Sequence, residues 1–223
     1  MKKIKIISII LLFVAGVGIM LYPVYKKMIT EKKQDEMISK LDKQIEKNKK
    51  NKSETDEKIK ATYDPELVKK EMEALEIEQN DSEVQVSDND KLLENQKVIG
   101  TIEISKIDVK YAIVEGSNRA NIAVAIGHMK GTSSIGGEGN CVLAGHNGGI
   151  YGKFFKNLNQ LSKGDKVVLT DEYGDKYTYE VYEMFKVKPE EVSVTENKEG
   201  YVLTLITCQD NGKTRLIVRC KIL

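Results

Sequence analysis

The sequence predicts a mostly β fold: an eight-stranded β-barrel with short helices, preceded by an N-terminal transmembrane helix and a helical or disordered charged stalk. Three observations carry this. An uncharged run of 20 residues, Ile6 to Tyr25, lies near the start of the 223-residue chain. The next stretch, to about Gln96, is rich in Lys, Glu, Asp and Asn and contains no glycine. Beyond it β-branched residues become dense, and 15 of the 17 glycines fall there, as turns between short strands require. The expected units are therefore an anchor at 1–27, a stalk or linker at 28–96 and a barrel at 97–223.

The anchor follows from length. Twenty residues at about 1.5 Å rise span roughly 30 Å, the hydrocarbon thickness of a bilayer. Gly16 and Gly18 are tolerated in such a helix, and Tyr22 and Tyr25 sit where interfacial aromatics belong. A cleaved signal peptide is the alternative, but its apolar core is shorter, about 7–15 residues. Lys2, Lys3 and Lys5 precede the run and Lys26, Lys27, Lys32 and Lys33 follow it, so the basic residues alone do not set orientation.

In the stalk, Met37, Leu41 and Ile45 recur every four residues, a weakly amphipathic helix. Asp64-Pro65 reads as an N-cap followed by proline at the first helical position, and Leu67, Val68, Met72 and Leu75 give that second helix a narrow apolar stripe. Lys47 to Lys60 has almost nothing apolar. A membrane-proximal stalk accounts for this pattern; a coiled coil would need three sustained heptads, which are absent.

Strands are expected at 98–104, 107–114, 121–126, 140–145, 166–170, 176–187, 201–208 and 214–222, with a turn at Tyr173-Gly174-Asp175. Phe154, Phe155, Leu158 and Leu161 lie at helical spacing, which predicts one short helix over 153–161. Eight short strands with one or two helical turns favour a closed or nearly closed barrel.

Composition excludes several functions. With 35 basic against 34 acidic residues, a strongly basic nucleic-acid binder is ruled out, and no Trp is present to stack on bases. Three cysteines and two histidines cannot build a four-cysteine zinc knuckle or a disulfide scaffold. They can supply a reactive thiol and a base.

Alternation along Tyr201–Cys208 puts Tyr201, Leu203 and Leu205 on one face and Thr204, Ile206 and Cys208 on the other. Cys208 ends that run before the turn Gln209-Asp210-Asn211-Gly212. In the last strand Leu216, Val218, Cys220 and Ile222 form the apolar face, and pairing of the two strands would set Arg215 beside Cys208. Only three of the 35 basic residues are Arg, so a permanent planar donor fork at this point is a deliberate choice. A thiol nucleophile needs a base or an ion-pair partner. His146 ends Val142-Leu-Ala-Gly-His146 and His128 ends Val124-Ala-Ile-Gly-His128; both occupy strand ends, and the spacing does not choose between them.

Residues from about Lys97 to Leu223 resemble sortases, the membrane-anchored cysteine transpeptidases of Gram-positive bacteria. The likeness rests on Thr204-Leu-Ile-Thr-Cys208, similar to the TLxTC signature, with Arg215 seven positions on. It also rests on Gly139-Asn-Cys-Val-Leu-Ala-Gly-His146, similar to the strand that carries the family's catalytic His, followed by Phe155, Leu158 and Gly164-Asp165. The resemblance implies a sortase-type barrel in which Cys208 is the nucleophile, His146 the acid/base and Arg215 the donor to substrate or oxyanion. It implies Thr207 and Ala144 at the substrate site, with His128 as a rim residue of structural or substrate-side role. The implied substrate is an LPxTG-like sorting signal of surface proteins, cleaved after Thr, with a cell-wall precursor amine or a pilin Lys as acceptor. The implied location is the cell membrane, single-pass through residues 6–25, with the catalytic domain extracellular, and no cofactor. A mostly neutral Cys–His pair and a bell-shaped pH dependence are also implied.

Asn147 stands where many relatives have Arg after the His. Residues 188–200 carry no long insertion, which argues against class B; no inhibitory lid and no second span is recognisable, which disfavours class C, so class A or class D remains. Glu190, Glu191, Glu196 and Glu199 cluster before the seventh strand; some class A relatives bind calcium there, but a solvated acidic loop explains them and no metal is assigned. Cys141 and Cys220 share faces with Leu143 and with Leu216 and Val218, and read as small buried apolar residues. A tethered cysteine peptidase and an inert wall-peptide-binding barrel are the rival readings.

Overall fold

The computed structural model describes residues 2–51, 63–76, 96–147 and 154–223. Helix α1 (Lys2–Asn51) and α2 (Pro65–Glu76) precede strands β1 (Val98–Ile104) and β2 (Val109–Glu115). Helix α3 (Arg119–Val124) leads into β3 (Ile126–His128), then β4 (Gly139–Ala144), β5 (Lys166–Asp171), β6 (Lys176–Val187), β7 (Tyr201–Gln209) and β8 (Thr214–Ile222). The eight strands close into a barrel in the order β1-β2-β3-β4-β7-β8-β6-β5, with β5 returning to β1. The β2–β3 and β4–β7 pairs are parallel and the rest antiparallel.

Alternation sorts the side chains. Ile102, Ile104, Leu143, Leu203, Leu205, Leu216, Val218 and both Cys141 and Cys220 fill one central core. Their neighbours Val142, Ala144, Ile206 and Ile217 point the other way and pack in a second cluster with Val68, Met72 and Leu75 of α2. A third cluster joins Met37 and Leu41 of α1 to Val98, Ala112 and Val114. Gln34 of α1 is buried there, donating through Nε2 to the Val124 carbonyl and accepting from the Ala112 amide at 3.2 Å. The two amphipathic helices thus lie on the barrel and do not stand off from it as a stalk. Asp64 caps α2, its Oδ1 accepting from the Glu66 and Leu67 amides, both at 3.1 Å.

Two expected elements differ. The strand expected over 121–126 is mostly α3, whose N-cap Asn118 accepts the Asn121 amide at 3.1 Å; only Ile126–His128 is strand. The reason is topological: β2 and β3 are parallel, so the chain must cross over between them, and a helix does this. The run Ile122–Ile126 is buried on every side, which erases the periodicity that would have marked a helix. The helix expected over 153–161 is instead a turn followed by one 3-10 turn at Leu158–Gln160; Phe154 at φ 35° and Asn157 at φ −99°, ψ 13° both lie outside the α-helical region. Phe154, Phe155, Leu158 and Leu161 are all buried nevertheless. Lys153 and most of the charged segment 47–60 lie outside the described residues.

The expected span 6–25 lies within α1, where Leu11, Leu12, Phe13, Ile19, Met20 and Leu21 are exposed. Among the described residues no helix is long and apolar enough to cross a membrane.

Candidate active site

Strand register assembles the site. In the antiparallel β7–β8 pair Cys208 faces Arg215. In the parallel β4–β7 pair Ala144 lies level with Ile206, so His146, two residues past Ala144, comes level with Cys208, two residues past Ile206. Two further bonds hold these strand ends together: the Gly145 amide donates to Ile206 O at 3.0 Å, and Thr207 Oγ1 donates to Gly145 O at 2.8 Å. The Phe155 amide donates to His146 O at 2.9 Å, fixing the backbone on which the imidazole is mounted.

Arg215 is 2% exposed, and its Nη1 donates to Cys208 Sγ at 2.9 Å. A guanidinium N–H aimed at sulfur favours the thiolate over the thiol. Among the described residues, Arg215 Nε and Nη2 are buried with no hydrogen-bond partner. A buried cation with two unmade bonds is costly, unless something with acceptor oxygens is meant to arrive.

His146, Cys208, Arg215 and Thr207 line one cleft, together with Ala144 and Gly145 of the β4 end. Cys208 is half-buried, as is His146. Strand alternation in the sequence puts Arg215 beside Cys208, and the resemblance adds His146, Thr207 and Ala144; in the structure all five line this cleft. It does not bring His128 to them. Gly127 faces Ala144 and His128 faces Leu143, so β3 carries His128 away from the catalytic end of β4.

His128 is instead 5% exposed, with Nδ1 3.2 Å from Glu115 Oε1 and Nε2 2.9 Å from Ser133 O. Both partners are acceptors, so both ring nitrogens donate and the ring is an imidazolium. Burial opposes that charge, but hydrogen bonding to Cys141 and Glu115 and the Glu115 carboxylate lift the imidazole from 6.5 to about 10. Burial likewise pushes the Glu115 carboxyl up, yet His128 holds it below its ordinary value. His128 and Glu115 form an ion pair outside the cleft.

The sequence missed the other wall of the cleft: Leu75 from α2, Ile122 from α3 and Ile206. The stripe Val68, Met72, Leu75 was legible, but nothing local says which surface it covers. Glu190, Glu191, Glu196 and Glu199 are exposed, and among the described residues no group of three or more His, Cys, Asp or Glu side chains is placed to hold a metal ion.

Residues 102–223 match the family described as Sortase domain. Sortase A of Streptococcus agalactiae is 32% identical over 218 residues, covering 94% of this chain and 80% of that protein. Sortase A of Bacillus anthracis is 31% identical over 223 residues, 97% of this chain and 95% of that protein. A solved Clostridium perfringens Sortase D5 transpeptidase superposes with a TM-score of 0.53 at 32% identity, over 71% of this chain and 99% of that one.

Proposed function

The chain belongs to the sortase family of cysteine transpeptidases, and we propose that it cleaves an LPxTG-like sorting signal after the threonine and passes the acyl group to an amine of the cell wall or to a pilin lysine. The observation that carries this reading is Arg215 Nη1 bonded to Cys208 Sγ at 2.9 Å in a cleft shared with His146.

The steps follow from the groups present. The Cys208 thiol passes its proton to His146, and the sulfur attacks the threonine carbonyl carbon as the carbonyl electrons move onto oxygen. Arg215, whose Nε and Nη2 have no hydrogen-bond partner among the described residues, stabilises that oxyanion. As the tetrahedral centre collapses the C–N bond breaks, and protonated His146 delivers its proton to the leaving amine. The thioester then meets an acceptor amine, which loses its proton to the now neutral His146 as the new amide forms and Sγ leaves. His146 hands that proton to the departing Sγ, so Cys208 and His146 return to their starting protonation.

The uncharged run Ile6–Tyr25 and the exposed apolar side chains along it support anchoring in the cell membrane, and an acceptor in the cell wall calls for the barrel outside. Mixing the chain with an LPxTG peptide, with and without an amine acceptor, tests the reaction. A Cys208 thioester in the mass spectrum and an amine-dependent product are expected. Release of peptide at the same rate and with no amide product in the presence of amine would make it a peptidase. Protease shaving of intact cells should remove the barrel if it is outside.

A further inference from the structure

We propose that α1 is a rigid mast: it joins the bilayer to the barrel without a joint and holds α3, with the cleft beside it, on the membrane-facing side at a fixed height. The inference rests on the membrane anchoring of residues 6–25 proposed above.

The helix presents two kinds of surface in succession. Along Leu11–Tyr25 every side chain is exposed. From Gln34 onward one stripe turns inward: Gln34, Met37, Ile38, Leu41 and Ile45 recur three and four residues apart and are buried or half-buried. Polar bonds hold this stripe at both ends. At its start Gln34 bridges the Val124 carbonyl, the last residue of α3, and the Ala112 amide of β2. At its far end Gln44 Nε2 donates to Glu172 Oε2 and Asn48 Nδ2 donates to Glu172 O, both at 2.9 Å. Gly174 of the same turn, at φ 87°, lies so close that a Cβ there would stand 2.9 Å from Ile45 Cγ2. Strands β2, β1 and β5 are neighbours in the barrel, so α1 runs across them from α3 to the β5–β6 turn.

The exposed and the docked parts are one helix, Lys2–Asn51. Pro23 lies inside the apolar run, so any bend it makes falls within the bilayer. The connecting segment Lys26–Lys33 contains neither proline nor glycine. From Tyr25 to Gln34 the axis rises about 14 Å. Ile122, two residues before Val124, lines the cleft, and two residues of chain reach at most about 7.6 Å. The cleft wall therefore stands roughly 20 Å or less beyond the apolar run along the axis. The β5–β6 turn, bonded at Gln44 and Asn48, lies about 15–21 Å farther out than Gln34. A barrel on a slack tether would have no such order of heights.

The test measures energy transfer from a thiol-bound dye to a rhodamine lipid, with the full chain in phosphatidylglycerol–phosphatidylethanolamine vesicles. The dye is placed on Ala120→Cys of α3 or on Tyr173→Cys of the turn, in a Cys208→Ala chain whose remaining thiols, Cys141 and Cys220, are buried. The α3 label should be nearer the bilayer by about 10–20 Å. Seven helix-forming residues inserted between Lys27 and Met28 add about 10 Å and nearly two whole turns, so both labels should recede by that amount and keep their difference. Seven Gly and Ser residues at the same point make a flexible joint and should erase the difference. Labels at equal height in the chain without an insertion overturn the proposal. So does a difference that survives the Gly/Ser insertion, because the barrel's own surface would then set its orientation. A chain that does not float with the vesicles refutes anchoring itself, a result distinct from equal heights in a chain that floats.

Discussion

Replacing Arg215 by Met should damage activity and spare stability, and the two effects can be sized from the structure. Arg215 is 2% exposed, donates to Cys208 Sγ and, among the described residues, leaves Nε and Nη2 buried and unpaired. Each unpaired buried donor costs about 1–3 kcal/mol, while the one bond made to sulfur contributes about 1.5–3 kcal/mol. Met fills a similar volume without polar atoms, and such replacements of buried charge are commonly neutral or stabilising by about 1–4 kcal/mol. At about 2–4 °C per kcal/mol for a chain of this size, Tm should stay level or rise by several degrees. Catalysis should go the other way. Loss of an oxyanion donor costs about 10²–10³ in kcat. Arg215→Lys keeps the charge without the planar fork and should recover only part of that. Thermal denaturation and steady-state turnover of a fluorogenic sorting peptide measure both. A Tm drop of more than about 5 °C, or a kcat within threefold of wild type, would show that the guanidinium is a structural cation and refute the assignment.

Turnover should vanish in His146→Ala and fall only partly in His128→Ala, because His128 lies outside the cleft; equal and complete loss in both folded variants would misplace the base. The His128 imidazolium adds stability that is fully present below its ordinary value of 6.5 and is lost as pH rises through about 10. Denaturation of the wild type should therefore weaken between those limits by up to about 1.4 kcal/mol per pH unit, and His128→Gln should flatten the slope. Glu115, held low, contributes above its ordinary value and loses that contribution as pH falls through its folded one. Asp64→Ala removes the cap of α2 and should cost about 1 kcal/mol in urea denaturation.

Much of this site was legible because strands have period two. Once Leu203 and Leu205 point into the core, Cys208 must point out, and once β7 pairs with β8 across the turn at residues 209–212, Arg215 must meet it. The choice of His146 over His128 was not legible from the residues, since both end an apolar run with Gly-His. It depends on the parallel register of β4 with β7, a long-range pairing that no local pattern encodes. The same limit hid α3. Its apolar residues are buried against the barrel, against α1 and against the cleft, so they show neither a helical stripe nor strand alternation. The positive φ of Phe154 was equally invisible, because aromatic spacing reports burial and not backbone.

The placement of the cleft has a packing cause. Val142, Ala144, Ile206 and Ile217 are outward-facing apolar residues on three adjacent strands, and a barrel surface of that kind must be covered to be stable. Helix α2 covers it with Val68, Met72 and Leu75, and its described path ends at Glu76. On the strands, the same outward positions continue past Ala144 to His146 and past Ile206 to Cys208, where the side chains cease to be apolar. The cover therefore meets the chemistry at its own edge: Leu75 is the last of the stripe, and Cys208 the first outward residue of β7 beyond Ile206. A site built this way needs no separate pocket, since the boundary between the apolar and the reactive positions of β7 is already a two-sided cleft. It also explains why the helix has to be part of the enzyme. Without α2 the outward apolar residues Val142, Ala144, Ile206 and Ile217 beside the thiol would open to water.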